Sequence, residues 1–181
     1  MILAAVLVCG LAAAGVALRV LAPGRSAPAA SAPALPPLQA ADGAITAIMI
    51  EKPVATLWSE VRNSPDLAGN IDRAAATIQA AGKALRRGVA DDLAGVDTVR
   101  FVFRAEAVDR FGHDVMAPLI TVDLALADLK AADYVAQPPE RLLGLASAVK
   151  MGSPGSYDAV SAWCQQAGRA DNAFCAKAAR L

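Results

Sequence analysis

The first 22 residues, Met1 to Ala22, contain one charged side chain, Arg19, and the next 18, Pro23 to Ala40, are mostly Ala, Pro and Ser. Neither stretch suits the core of a water-soluble domain, so they confine an ordinary fold to the rest of the 181 residues. A helix rises about 1.5 Å per residue, and roughly 20 apolar residues cross a hydrocarbon layer about 30 Å thick. Ile2 to Ala22 meets that length, with Arg19 near its end, where a long cation can snorkel to the interface. The sequence therefore predicts a transmembrane helix over 1–22.

A cleaved signal peptide is the rival reading. It calls for a charged start, a shorter apolar stretch and an A-x-A-like site. No Lys or Arg precedes this run, and the best such site, Ala27-Pro28-Ala29, lies beyond Arg19 and Arg25 and carries a proline. The uncleaved anchor is favoured, ahead of a signal peptide and of a buried soluble helix. Cys9 lies inside the apolar run rather than just after it, which excludes a lipidated cysteine there.

Five prolines, Pro23, Pro28, Pro33, Pro36 and Pro37, stand among small residues in 23–40, with Leu35 and Leu38 as the larger apolar side chains. Such a stretch buries too little to offset its ordering and tends to polyproline II. At about 3.1 Å per residue it would reach roughly 55 Å, the dimensions of a tether.

Two observations pull its orientation in opposite directions. Arg19 and Arg25 follow most of the apolar run, and positive flanks tend to stay cytoplasmic. Cys164 and Cys175, by contrast, are close enough for a short loop to join, and a disulfide requires an oxidising compartment. Two cysteines without a further His or Cys pair make a poor zinc site, which leaves a disulfide and a pair of reduced core thiols evenly matched. The Ala/Pro/Ser tether suits an envelope protein. The expectation is a single-pass inner-membrane protein with a periplasmic domain and Cys164–Cys175 as a candidate disulfide.

Residues 41–181 suit one domain. They hold 15 basic and 17 acidic residues, a net charge of 15 − 17 = −2, which gives little footing for nucleic-acid binding. Four Phe, two Trp and two Tyr in the chain leave few platforms for stacking bases. Lys83, Arg86 and Arg87 cluster at a predicted helix end, where cations complement the carbonyl dipole.

Leu67, Ile71, Ala74, Ile78, Ala81 and Leu85 recur at steps of four and three, one narrow stripe of a helix. Ser64 as cap, Pro65 and Asp66 mark its start and Gly88 its end, which predicts a helix over 65–87. The stripe lasts under three heptads and includes alanines, so it is read as core rather than as a coiled-coil seam. From Val99 to Val122, two β-rich runs flank Asp109-Arg110-Phe111-Gly112, a type I turn closed by a left-handed glycine. The implied register sets Ala107 against Val115, Ala105 against Ala117, Phe103 against Leu119 and Phe101 against Thr121. Pro118 predicts an edge or a bulge. Ile45 to Ile50 is the best third strand, since two strands alone are marginal. The fold class expected is α+β: a small antiparallel sheet of about three strands with helices on one face. Later helices are expected over 124–134 (capped by Asp123), from Pro138-Pro139-Glu140 to about Val149, and from caps Ser156 and Asp171, the last two carrying the cysteines.

Chemistry is thin. His113 is the one histidine, and Asp109 and Asp114 could orient it, yet all three fall at a hairpin tip where polar residues are expected. Asp91 and Asp92 are sequence neighbours that rarely converge on one ion. The glycines form no phosphate loop, and Gly152-Ser153-Pro154-Gly155 is read as a turn, not a nucleophile elbow. No catalytic, cofactor-binding or metal-binding residue is assigned. Two functions remain: an anchored accessory or scaffold protein whose domain binds another envelope protein, and an anchored or secreted enzyme or small-ligand binder using residues near His113.

Overall fold

In Val54–Val61 every second side chain, Ala55, Leu57, Ser59 and Val61, is buried, while the residues between them are half-buried. That alternation is the signature of a strand inside a sheet. The computed structural model of the protein describes residues 37–62, 66–88 and 93–180. Its elements run α1 (Pro37–Ala41), β1 (Ile45–Glu51), β2 (Val54–Val61), α2 (Leu67–Arg86), β3 (Thr98–Val108), β4 (Asp114–Ala125), α3 (Leu126–Ala131), α4 (Pro139–Leu143), β5 (Ala148–Met151), α5 (Pro154–Cys164) and α6 (Ala173–Ala178).

The five strands form one sheet in sequence order, β1-β2-β3-β4-β5. β2 and β3 run parallel and the other neighbours antiparallel. The domain is α+β with a mixed five-stranded sheet, which corrects the expectation of about three antiparallel strands. Parallel neighbours need a crossover, and α2 is that crossover, so β2 before it and β3 after it lie side by side. β1 and β2 form a tight hairpin through Lys52 and Pro53, joined by a cis peptide bond. Among the described residues no helix is long and apolar enough to cross a membrane. The segment 1–22 lies outside the described residues, as do Cys9 and most of the tether. α1 falls at the end of the stretch read as tether, and its Leu38 is buried.

α2 packs against β2 and β3 and touches α1, α3, α4 and α5. Its stripe is core as predicted for Ile71, Ala74, Ile78, Ala81 and Leu85, whereas Leu67 is exposed. The N-cap is Asp66, whose side chain accepts from the Gly69 amide. Ser64 and Pro65 lie outside the described residues. Gly88 stops the helix with φ +75°, a conformation that costs a side-chain-bearing residue more.

The β3–β4 loop has the predicted form, with Gly112 at φ +84° and Asp109 paired to His113. Ala107 faces Val115 and Ala105 faces Ala117. Beyond Pro118 the register slips: Arg104 faces Pro118 but Val102 faces Thr121, so Leu119 and Ile120 stand against Phe103. This bulge moves Phe101 from Thr121 to Val122 and lets Leu119 and Ile120 both be buried.

Of the later helices α4 starts at Pro139 as predicted, and the other three start elsewhere. Asp123 stays in β4 and forms two hydrogen bonds with the Arg100 guanidinium, leaving Ala125 as N-cap of the shorter α3. α4 ends at Gly144, because Ala148–Met151 pairs with β4 instead of extending the helix. Ser153 caps α5 with Ser156 as its capping-box partner, so Ser153-Pro154-Gly155 opens a helix. Asn172, not Asp171, caps α6.

Tyr134 ties α3's exit to α2. Its ring lies against the backbone of Gly82, where an added Cβ would stand 2.0 Å from the hydroxyl, and that hydroxyl donates to the Leu129 carbonyl. Burial pushes the phenol up to about 12. Between pH 10 and 12 the unfolded chain loses this proton while the native state largely keeps it, so stability falls as pH rises through that window, by about 2 kcal/mol at its end. Urea midpoints should drop across this range and drop less in Tyr134→Phe; equal slopes would remove Tyr134 as the cause.

Candidate functional site

β2 pairs with β3 only as far as Ala105, and β5 pairs with β4 only back to Ile120. Glu106 to Met116 therefore continue as a two-stranded arm with no neighbouring strand on either side among the described residues. An isolated two-stranded ribbon is marginal, so the loop chemistry matters. Asp109 supplies it: one carboxylate oxygen accepts from the Phe111 amide at 2.8 Å and the His113 amide at 2.9 Å. Those bonds, the His113 amide first, hold the Asp109 carboxyl below its usual value.

The arm presents apolar surface where a turn usually presents polar groups. Phe111 is 68% exposed at the tip and Val108 67%, with Val115 exposed as well. The Arg110 guanidinium lies 4.7 Å from the centre of the Phe111 ring. At the arm's base, Arg62, Glu106, Asp114, Val115 and Met116 line a cleft of about 340 Å³. An apolar centre with charged surroundings is the usual composition of a protein-binding patch.

His113 is part of this tip. Its Nδ1 stands 3.4 Å from Asp109 and its side chain is 74% exposed, a position with no enclosure around a general base. Asp114 pairs across the strands with Val108. Asp109 and His113 are thus brought together in the turn, whereas Asp114 begins β4 and lines the cleft at the arm's base. Asp91 and Asp92 lie outside the described residues. Lys83 and Arg86 sit in the last turn of α2, where Lys83 donates to Gln79 and Arg86 to the Ala132 carbonyl.

Cys164 ends α5 and Cys175 lies in α6, with Cα atoms 5.8 Å apart and the two sulfurs at disulfide distance. The pair lines an apolar groove of about 550 Å³ with Met151, Tyr157 and Val160. Beside it, Trp163 is fully buried, donates to Asp72 at 2.8 Å and meets the Phe174 ring edge-on at 5.6 Å.

Sequence reasoning places the turn but misses its exposed apolar residues. The signal available for them is Phe111 itself, a large aromatic in the middle of a tight loop. No protein-family model, curated protein or solved structure matches this chain.

Proposed function

We propose that this chain is a membrane-tethered accessory protein whose domain binds another envelope protein through the β3–β4 arm. The observation that carries this reading is the exposed pair Val108 and Phe111 on a two-stranded extension, none of whose residues from Glu106 to Met116 is fully buried. Segment 1–22 and the proline-rich stretch after it support attachment at a membrane and reach away from it. The closeness of Cys164 and Cys175 supports a periplasmic address, where such a pair is oxidised.

The test places a benzophenone side chain at position 111 of the full chain in cells, with Lys130 on α3 as the control position. One envelope protein should crosslink from 111 and not from 130, and Val108→Ser should weaken the adduct at least about tenfold, on the scale of a buried apolar anchor. His113→Ala should leave it unchanged. Equal adducts from both positions, or loss with His113→Ala alone, would overturn the reading.

A membrane-impermeant thiol reagent tests the address, in a background with Cys9 replaced by serine. Cys164 and Cys175 should label in intact cells only after reduction. Labelling that needs cell lysis would place the domain in the cytoplasm.

A further inference from the structure

The sheet's edges are protected unequally. A free edge offers unpaired N–H and C=O groups to any other strand, and proteins blunt such edges with charge, proline, brevity or a covering element. β5 has four residues, carries Lys150 and is touched by α6, whose Lys177 donates to the Gly144 and Ala146 carbonyls just before it. The arm's β4 edge is interrupted by Pro118, and the Arg104 guanidinium occupies the Met116 carbonyl at 2.6 Å. Among the described residues β1 is guarded at its start, by contact with α1, a bulge between Ile45 and Ala47 and the Gln39 amide on the Thr46 carbonyl at 2.9 Å, and at its end by the exposed charge of Glu51. From Ala47 to Ile50 it carries neither charge nor proline, and Met49 is 42% and Ile50 37% exposed.

We infer that β1 is the pairing edge for a second copy of this chain, joined antiparallel about Met49 into one continuous sheet across a two-fold axis. The register follows from the ladder. The Thr98 amide donates to the Pro53 carbonyl, so Pro53 and Ala55 turn their backbone groups toward β3, while Val54 and Thr56 turn theirs toward β1. Their partners Glu51 and Met49 face β2, which leaves Ile48 and Ile50 with outward N–H and C=O groups. Because Gln39 already occupies Thr46, the pairing groups left open among the described residues are those of Ile48 and Ile50. Antiparallel pairing of Ile48 with the second copy's Ile50, and the reverse, makes about four inter-strand hydrogen bonds. That register puts Met49 opposite itself in a non-hydrogen-bonded pair and Glu51 opposite Ala47, so no like charges meet. A second copy fits because β1 itself supplies what the edge requires: an extended strand with apolar side chains on both faces. The arm takes no part, so this inference and the proposed function stand or fall separately.

The test uses the full chain in detergent with Cys9 replaced by serine. Sedimentation across a concentration series should show a dimer, and Met49→Lys, which sets two lysines face to face, should halve the mass while leaving the circular dichroism spectrum unchanged. Under mild oxidation Met49→Cys should crosslink to itself, since directly opposed Cα atoms about 4.5 Å apart lie in disulfide range. Thr46→Cys, opposite Lys52 in that register, should not crosslink. A wild-type monomer throughout, a Met49→Lys dimer, or crosslinking through position 46 in place of 49 would each overturn the inference.

Discussion

Replacing Trp163 by alanine is expected to cost about 3–5 kcal/mol, a large part of a small domain's stability. Three elements lean on this indole. It projects fully buried from α5, and Phe174 of α6 packs edge-on against it. Its N–H holds the Asp72 carboxylate of α2, which also receives Arg169 at 2.9 Å. The Arg169 guanidinium lies 4.8 Å from the ring centre, and its Nη1 is buried with no hydrogen-bond partner. The π-face and Asp72 are what offset that cation's burial, so truncation leaves a cavity and a poorly solvated charge together. Trp163→Phe keeps most of the volume and loses the N–H, and should cost about 1–3 kcal/mol. Equilibrium urea unfolding followed by circular dichroism measures both. A loss below about 1.5 kcal/mol for the alanine variant would show that the site collapses easily and that this cluster is not a keystone of the helical layer.

Gly152→Ala should be nearly as damaging, against the usual sign of the substitution. Where the backbone permits it, replacing glycine by alanine stabilises by about 0.4–1 kcal/mol through the unfolded state. At Gly152 a Cβ would stand 2.6 Å from the carbonyl carbon and Cβ of Pro118 and 2.7 Å from its oxygen. Backbone cannot yield there as a flexible side chain could. The Gly152 amide donates to the Leu119 carbonyl at 2.8 Å, so the turn from β5 into α5 is pinned beside the β4 bulge. Relieving the clash means breaking that bond and lifting α5, and overpacking of this kind costs about 1–3 kcal/mol or more. Gly43→Ala is the control, with nothing within 4 Å of its added Cβ, and should change stability by less than about 1 kcal/mol. Equal urea midpoints for the two variants would refute the close-approach account of Gly152.

Elements whose pattern is local are legible from the residues themselves. α2 announces itself by a 3.6-residue apolar period, and the β3–β4 loop by a turn residue at each required position. β2 escapes a local reading although Val54–Val61 alternates, because Pro53 at its start reads as a break and its neighbours are set by a parallel pairing that no local turn specifies. The first half of β5, Ala148 and Val149, falls in the predicted helix because four residues are too few to show a period. Among the site residues, the turn around His113 is legible and the exposure of Val108 and Phe111 is not, since exposure depends on where the neighbouring strands stop.

By itself the sequence determined the long helix and the hairpin with its left-handed glycine. These rest on spacing and backbone preference within a few residues. Only the tertiary structure decided the mixed sheet, the bulge after Pro118, the approach of Gly152 to that proline, the meeting of Cys164 with Cys175, and which strand edge is left open. Each of these depends on residues far apart in the chain competing for the same contacts, and that competition is settled by packing.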